Sequence, residues 1–251
     1  MLLEMKFSSK ELKRNVSVSV LIPNQEPVGA GHKVLWLLHG LSDDHTAWMR
    51  RTAIERYAKE HRLAVVMPGV ERSWYTNTAY HANYFNFVAY ELPSLCRRTF
   101  KDFSEKREDN IVAGLSMGGY GALKLALTCP TQYGACISLS GSLDITRKGR
   151  PVDLDEWRSI FGYELASALD LEGSEHDLFA LAKKNKAAQM PFPKLYLWCG
   201  QQDTLIGVNR AFDRHLTELD VAHTYTESEG DHTWPWWDLH IQGALKAILN
   251  D

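Results

Sequence analysis

Cysteine is scarce in this 251-residue chain. There are four, Cys96, Cys129, Cys136 and Cys199, and no two form a C-x-x-C pair. Each lies in or beside an apolar segment, where a lone thiol serves as a small core side chain. That argues against a disulfide framework and leads to the expectation of reduced thiols in a cytoplasmic protein. Metal-binding patterns are also lacking: there is no H-E-x-x-H and no Cys/His cluster, so no metal is expected. No P-loop or dinucleotide fingerprint is present either, and no cofactor is expected. Charge of neither sign dominates: 28 Lys and Arg face 31 Asp and Glu, a net charge of −3. Without a basic stripe, nucleic acid is not an expected partner. No apolar run approaches a membrane-spanning length, so no membrane partner is expected. Glu4 places a carboxylate inside any would-be signal core in Met1–Lys6, so no secretory signal is expected. With no internal repeat, low-complexity tract or linker, residues 1–251 read as one domain.

What is present is a rhythm of strands and helices. Glu4–Ser9 and Asn15–Ile22 alternate apolar and polar residues, which predicts an antiparallel hairpin at the edge of a sheet. Lys33–Leu38, Leu63–Met67, Asn110–Leu115, Ala135–Leu139, Lys194–Cys199 and Ala222–Glu227 read as further strands. The apolar runs among them are the mark of strands buried on both faces. Helical spacing covers Trp48–His61, a stretch through Phe87 and Tyr90 to Leu92, Tyr120–Leu127, Ile206–Leu219 and Ile241–Leu249. Pro93 either kinks the second of these or opens another helix. Strands alternating with helices predict an α/β fold: a mostly parallel sheet covered on both faces. Between about 142 and 193 the rhythm stops, with short helical pieces fitting Asp153–Phe161 and Glu175–Lys184. This excursion leaves the carboxyl end of a central strand, where ligands bind in open α/β sheets, and is expected to cover part of a site.

The chain is organised around Gly114-Leu115-Ser116-Met117-Gly118-Gly119. It carries G-x-S-x-G, with an apolar strand before it and a helical run after it. Strand, sharp turn and helix in that order raise the serine hydroxyl at the end of the strand. A serine hydroxyl is a weak nucleophile and needs a base, which in turn needs an acid to orient it. Asp203 and His232 follow in the right order, each on a loop just after an expected strand. Asp231 is a rival for the acid, but its neighbour position makes it poorly placed to reach the far nitrogen of the His232 ring. An oxyanion needs two backbone N–H donors. Met117, after the serine, and Leu41, after the strand ending at His39-Gly40, are the candidates. His39 itself reads as structural.

Beyond the serine motif, LWLLHGLSDDHTAWMRRTAIERYA, VVMPGVERSWYTNTAY, YELP, SEKRE, IVAGLSMGGYGALKLALTCP, LWCGQQD and GDHTWPWW give the chain a wider resemblance. It resembles the esterase D family of α/β-hydrolases, and within it the bacterial tributyrin esterases or acetylesterases. The resemblance implies an α/β-hydrolase fold, Ser116 as nucleophile, Asp203 as acid, His232 as base, and Leu41 and Met117 as oxyanion donors. It also implies that Trp74 and Tyr75 line an acyl pocket, with Trp234 close to His232.

The expectation is therefore a serine carboxylesterase acting on small acyl esters, acetyl to butyryl, with a small-molecule ester as its partner and a homo-oligomer left open. The alternatives are a thioesterase of the S-formylglutathione hydrolase type, a feruloyl or acetyl-sugar esterase, an acyltransferase and, from another class, a non-catalytic hydrolase-like binding protein.

Overall fold

The computed structural model describes residues 1–27, 31–147, 153–164 and 168–249. One sheet contains β1 (Leu2–Ser9), β2 (Arg14–Leu21), β3 (Lys33–Leu38), β4 (Leu63–Pro68), β5 (Asn110–Leu115), β6 (Ala135–Leu139), β7 (Lys194–Gly200) and β8 (Thr224–Ser228). The order across it is β1-β2-β4-β3-β5-β6-β7-β8. β1 and β2 form the expected antiparallel hairpin, with Leu2 opposite Leu21, and β2 joins β4 antiparallel. Every later pairing is parallel. The carboxyl ends of β3, β5, β6, β7 and β8 therefore share one rim.

The helices are α1 (Ala47–Arg51), α2 (Ile54–His61), α3 (Tyr84–Asn86), α4 (Leu92–Thr99), α5 (Met117–Thr128), α6 (Leu154–Phe161), α7 (Leu178–Ala187), α8 (Ile206–Glu218) and α9 (Trp234–Leu249). Residues of opposite parity on each central strand enter opposite cores. Val34, Trp36, Leu38 and Val112 pack with Tyr120, Leu123 and Phe212 on the face of α5 and α8. Leu35, Leu37, Ile111 and Ala113 pack with Trp48, Ile54 and Ile241 on the face of α1, α2 and α9. Burial on both sides explains the unbroken apolar runs of β3, β4 and β5.

Several helix boundaries differ from the sequence reading. The helix expected over Trp48–His61 is two, separated by Thr52 in an extended conformation. The Thr52 hydroxyl bonds back to the Trp48 carbonyl, and Asp238 from α9 accepts the Ala53 amide and the Tyr57 hydroxyl. A carboxylate from the far end of the chain thus starts α2. Pro93 stands in the first turn of α4, where no amide donor is needed, behind a π-helical turn at Phe87–Glu91. α7 begins at Leu178 rather than Glu175, because the Asp177 carboxylate caps the Phe179 and Ala180 amides. The last helix begins at Trp234, well before Ile241; Pro235 lies in its first turn, where proline is tolerated.

The excursion between β6 and β7 carries α6 and α7 and lies against the helix that opens at Ser116. Trp157 of α6 meets Trp74 edge-on at 5.8 Å, and Trp74 meets Tyr120 of α5 in the same way at 5.8 Å. The Tyr120 hydroxyl donates to the His176 carbonyl. Below it, Lys124 is buried, its Nζ 2.7 Å from Thr76 Oγ1 and 3.0 Å from His176 Nδ1. Burial pushes the Lys124 pKa down to about 7, against a weaker upward pull from Glu175. All four cysteines are buried and unpaired. No helix among the described residues is long and apolar enough to cross a membrane.

The buried amine makes stability depend on pH. Between about 7 and 10.5 the unfolded chain keeps the Lys124 proton while the folded chain sheds it, so this group makes stability rise with pH across that window. Replacing Lys124 by Met should remove that contribution. Urea midpoints measured at pH 7 and pH 9 should then show a smaller rise in the variant than in the parent chain.

Candidate active site

The apolar strand β5 ends at Leu115, and α5 begins at Met117. Ser116 joins them at φ 53° and ψ −117°, a left-handed conformation costly for any side chain-bearing residue. Its backbone is held on both sides: its N–H donates to the Leu139 carbonyl at 3.0 Å, and its carbonyl accepts from Tyr120 and Ser142, both at 3.1 Å. The helix follows so closely that a Cβ on Gly118 would lie 2.4 Å from the Leu38 carbonyl oxygen. Only glycine permits that approach.

Asp203 and His232 arrive from the next strands along the rim. The loops after β7 and β8 are joined to each other: Gln202 N–H donates to the Gly230 carbonyl at 2.9 Å, and Gly230 N–H donates to Gln202 Oε1 at 2.8 Å. Gly200 faces Gly230 so tightly that an added Cβ would stand 2.2 Å from the Gly230 carbonyl oxygen. This contact brings the two side chains into register. His232 Nδ1 is 2.8 Å from Asp203 Oδ2, and His232 Nε2 is 3.0 Å from Ser116 Oγ.

The protons follow from the partners. Burial alone would raise the Asp203 pKa, but the bonds from His232 and from the Leu205 amide outweigh it, holding the carboxyl below its ordinary value. An ionised carboxylate only accepts, so Nδ1 of His232 carries the hydrogen and Nε2 is left to accept from the serine hydroxyl. The Asp203 side chain is fully buried and that of His232 is 33% exposed, so the imidazole faces the open side of the site. Asp231 is turned elsewhere: its carboxylate accepts from Thr233.

The Met117 amide opens α5 and has no acceptor within the helix. Among the described residues no backbone carbonyl accepts from it or from Leu41 N–H. The backbone of Gly40, next to Leu41, lies beside the serine: a Cβ on Gly40 would be 3.7 Å from Ser116 Cβ.

The aromatic residues implied for the pocket are placed as follows. Trp74 is buried against Tyr120 and Trp157. Tyr75 is fully buried, its hydroxyl donating to the His39 carbonyl at 2.9 Å and its ring against Gly121. The ring in contact with His232 is Trp237, edge-on at 4.9 Å; Trp234 is one ring further out, against Trp237 and Trp48. Trp237 and Gln202 were not singled out in the sequence. Each stands a few residues from a residue that was, but which neighbour makes the contact depends on where α9 begins and how two loops pair.

A sheet of this order, with a serine raised beyond its middle strand and an imidazole and carboxylate in line with it, defines an α/β-hydrolase. Comparison with known proteins narrows the class. The chain belongs to the esterase family, whose model, described as "Putative esterase", matches residues 9–248, and it is a carboxylic ester hydrolase. It is 31% identical over 262 residues to the acetyl esterase of Caldicellulosiruptor saccharolyticus, covering 98% of this chain and 97% of that one. Among solved structures it is similar to fluorophosphonate-binding serine hydrolase F of Staphylococcus aureus, substrate bound, at 35% identity and a TM-score of 0.90, over 100% of this chain and 99% of that one. The S-formylglutathione hydrolase of Staphylococcus aureus is similar at 33% identity and a TM-score of 0.87, over 99% and 98% of the two chains.

The Gly200–Gly230 contact can be tested directly. Gly200→Ala should lower stability by about 1–3 kcal/mol, the usual cost of overpacking, and should lower turnover by spreading the loops that carry Asp203 and His232. Urea unfolding and steady-state kinetics on the same preparation measure both effects.

Proposed function

We propose that this chain hydrolyses short-chain acyl esters, acetyl to butyryl, through an acyl-enzyme on Ser116. The observation that carries the reading is the unbroken line Asp203–His232–Ser116, with contacts of 2.8 and 3.0 Å. Ser116 Oγ attacks the carbonyl carbon while His232 Nε2 takes its proton. Asp203 holds the ring in the required tautomer and stabilises the imidazolium. Negative charge gathers on the former carbonyl oxygen, where the Leu41 and Met117 N–H groups donate. One such donor is worth about 2.7–4 kcal/mol of transition-state stabilisation. Collapse breaks the ester C–O bond, and the alkoxide leaves with the proton from Nε2. A water then gives a proton to Nε2 and attacks the acyl carbon. Ser116 recovers its hydrogen, and the acid departs.

Trp74, packed against Trp157 of the excursion, and Trp234, packed against Trp237, are assigned to the walls of a short acyl pocket. Tyr75, fully buried and bonded to His39, fits a support for the oxyanion loop instead. The similarity to an acetyl esterase supports the small acyl group, and tributyrin lies within this range. The four buried, unpaired cysteines support a cytoplasmic location.

A second reading is favoured by the likeness to a protein described as an S-formylglutathione hydrolase: a thioester would enter the same chemistry. The relative kcat/KM for p-nitrophenyl acetate and S-formylglutathione distinguishes the two, and the ester is expected to be preferred.

Two outcomes are expected for the ester reading. Ser116→Ala should remove p-nitrophenyl acetate hydrolysis and labelling by a fluorophosphonate while the fold and melting temperature persist; retained turnover rejects the mechanism. Across p-nitrophenyl esters of graded length, kcat/KM should peak between the acetyl and butyryl chains and fall for octanoyl and longer ones.

A further inference from the structure

The backbone leaving β3 has three successive carbonyls, each bonded from a buried side chain. Trp48 Nε1–H donates to the Leu38 oxygen at 3.0 Å. The Tyr75 hydroxyl donates to the His39 oxygen at 2.9 Å. The Gly40 oxygen lies 2.7 Å from His39 Nδ1 and also accepts the Asp43 amide at 3.2 Å.

The third bond differs from the other two in what it orients. The Gly40 carbonyl and the Leu41 amide are the two ends of one planar peptide unit. In a trans unit they point in opposite directions, so a donor holding the oxygen also sets the line of the N–H. The Leu41 N–H has no carbonyl acceptor among the described residues and belongs to the loop beside Ser116.

His39 can make this bond in one tautomer only. The Val70 amide donates to its Nε2 at 3.0 Å, so that nitrogen must be the acceptor and the hydrogen sits on Nδ1. The ring is 1% exposed and its burial disfavours the cationic form, which would leave Val70 N–H facing another hydrogen.

We propose that His39, locked by Val70 as the Nδ1–H tautomer, is a positioning residue that aims the Leu41 amide at the oxyanion through the Gly40 carbonyl. It touches neither substrate nor reacting atoms. This inference rests on the reading of Ser116 as nucleophile and Leu41 as oxyanion donor.

Two substitutions separate this role from packing. In His39→Asn the side-chain amide reaches the place of Nδ1 and can donate to Gly40, leaving Val70 unpaired. In His39→Gln it reaches the place of Nε2 and can accept from Val70, leaving Gly40 without its donor. For p-nitrophenyl acetate, the Gln variant should lose kcat on the order of 100-fold at nearly unchanged KM, the usual penalty for a catalytic group displaced by about 1 Å. The Asn variant should keep most of kcat, although both should melt below the parent chain. Equal losses of kcat, or a larger loss in the Asn variant, overturn the proposal. A readout that needs no variant is the imidazole nitrogen–proton correlation spectrum of the parent protein, where His39 should carry its proton on Nδ1; a proton on Nε2 overturns the proposal as well. A pre-steady-state burst and fluorophosphonate labelling of Ser116 in the parent chain keep the two readings apart. Their absence rejects the acyl-enzyme itself, whereas their presence alongside equal Asn and Gln defects rejects only the role of His39.

Discussion

The contact on which this structure depends is backbone against backbone: the first turn of α5 pressed onto the end of β3. Gly118 comes so close to the Leu38 carbonyl that there is no room for a methyl group. That closeness turns the chain abruptly at Ser116 and holds it in a left-handed conformation that an isolated peptide would leave, at a cost of about 1–3 kcal/mol. The large apolar cores on both faces of the sheet supply the stability that sustains this strain. The same contact sets the end of β3 beside the serine, so Ser116 and the loop through Gly40 and Leu41 are positioned by one packing event rather than by two.

Electrostatics at the site follow from burial that differs from residue to residue. Asp203 is enclosed but so well supplied with donors that it stays ionised. His232 is partly open. His39, a few residues from the site, is enclosed without a carboxylate bonded to it and is kept neutral. Two imidazoles therefore sit near one serine in opposite roles. The ring bonded to a carboxylate can accept and return a proton, while the ring bonded only to backbone groups is fixed in one form. Lys124 extends the contrast on the far side of α5, where burial beside the neutral His176 favours the uncharged amine.

Much of this was legible in the sequence where the signal is local. The period of two in Val16, Val18 and Val20, the apolar run of β3, and the small residues around Ser116 each report a nearby physical demand. The order Ser116, Asp203, His232 was readable because each follows a segment that reads as a strand. What could not be read came from pairs distant in the chain. Asp238 interrupts the helix expected over Trp48–His61 from 185 residues away, through its bond to Ala53. Trp237 rather than Trp234 meets His232 because α9 starts early, with Pro235 tolerated in its first turn. The family resemblance implies a pocket role for Tyr75, and its hydroxyl is committed to the His39 carbonyl, a partner no local pattern announces. In each case the residue type was informative and its partner was not.

The pairing of the loops after β7 and β8 has a bearing on how the protein is born. Asp203 and His232 follow Ser116 by 87 and 116 residues in the chain, and His232 stands on the loop after β8, the strand at the sheet's far edge. A chain made only as far as Ser116 therefore lacks both the carboxylate and the imidazole that line up with that hydroxyl, and the Leu139 carbonyl that holds its backbone. The line Asp203–His232–Ser116 can close only after the strands that carry its last two members have joined the sheet.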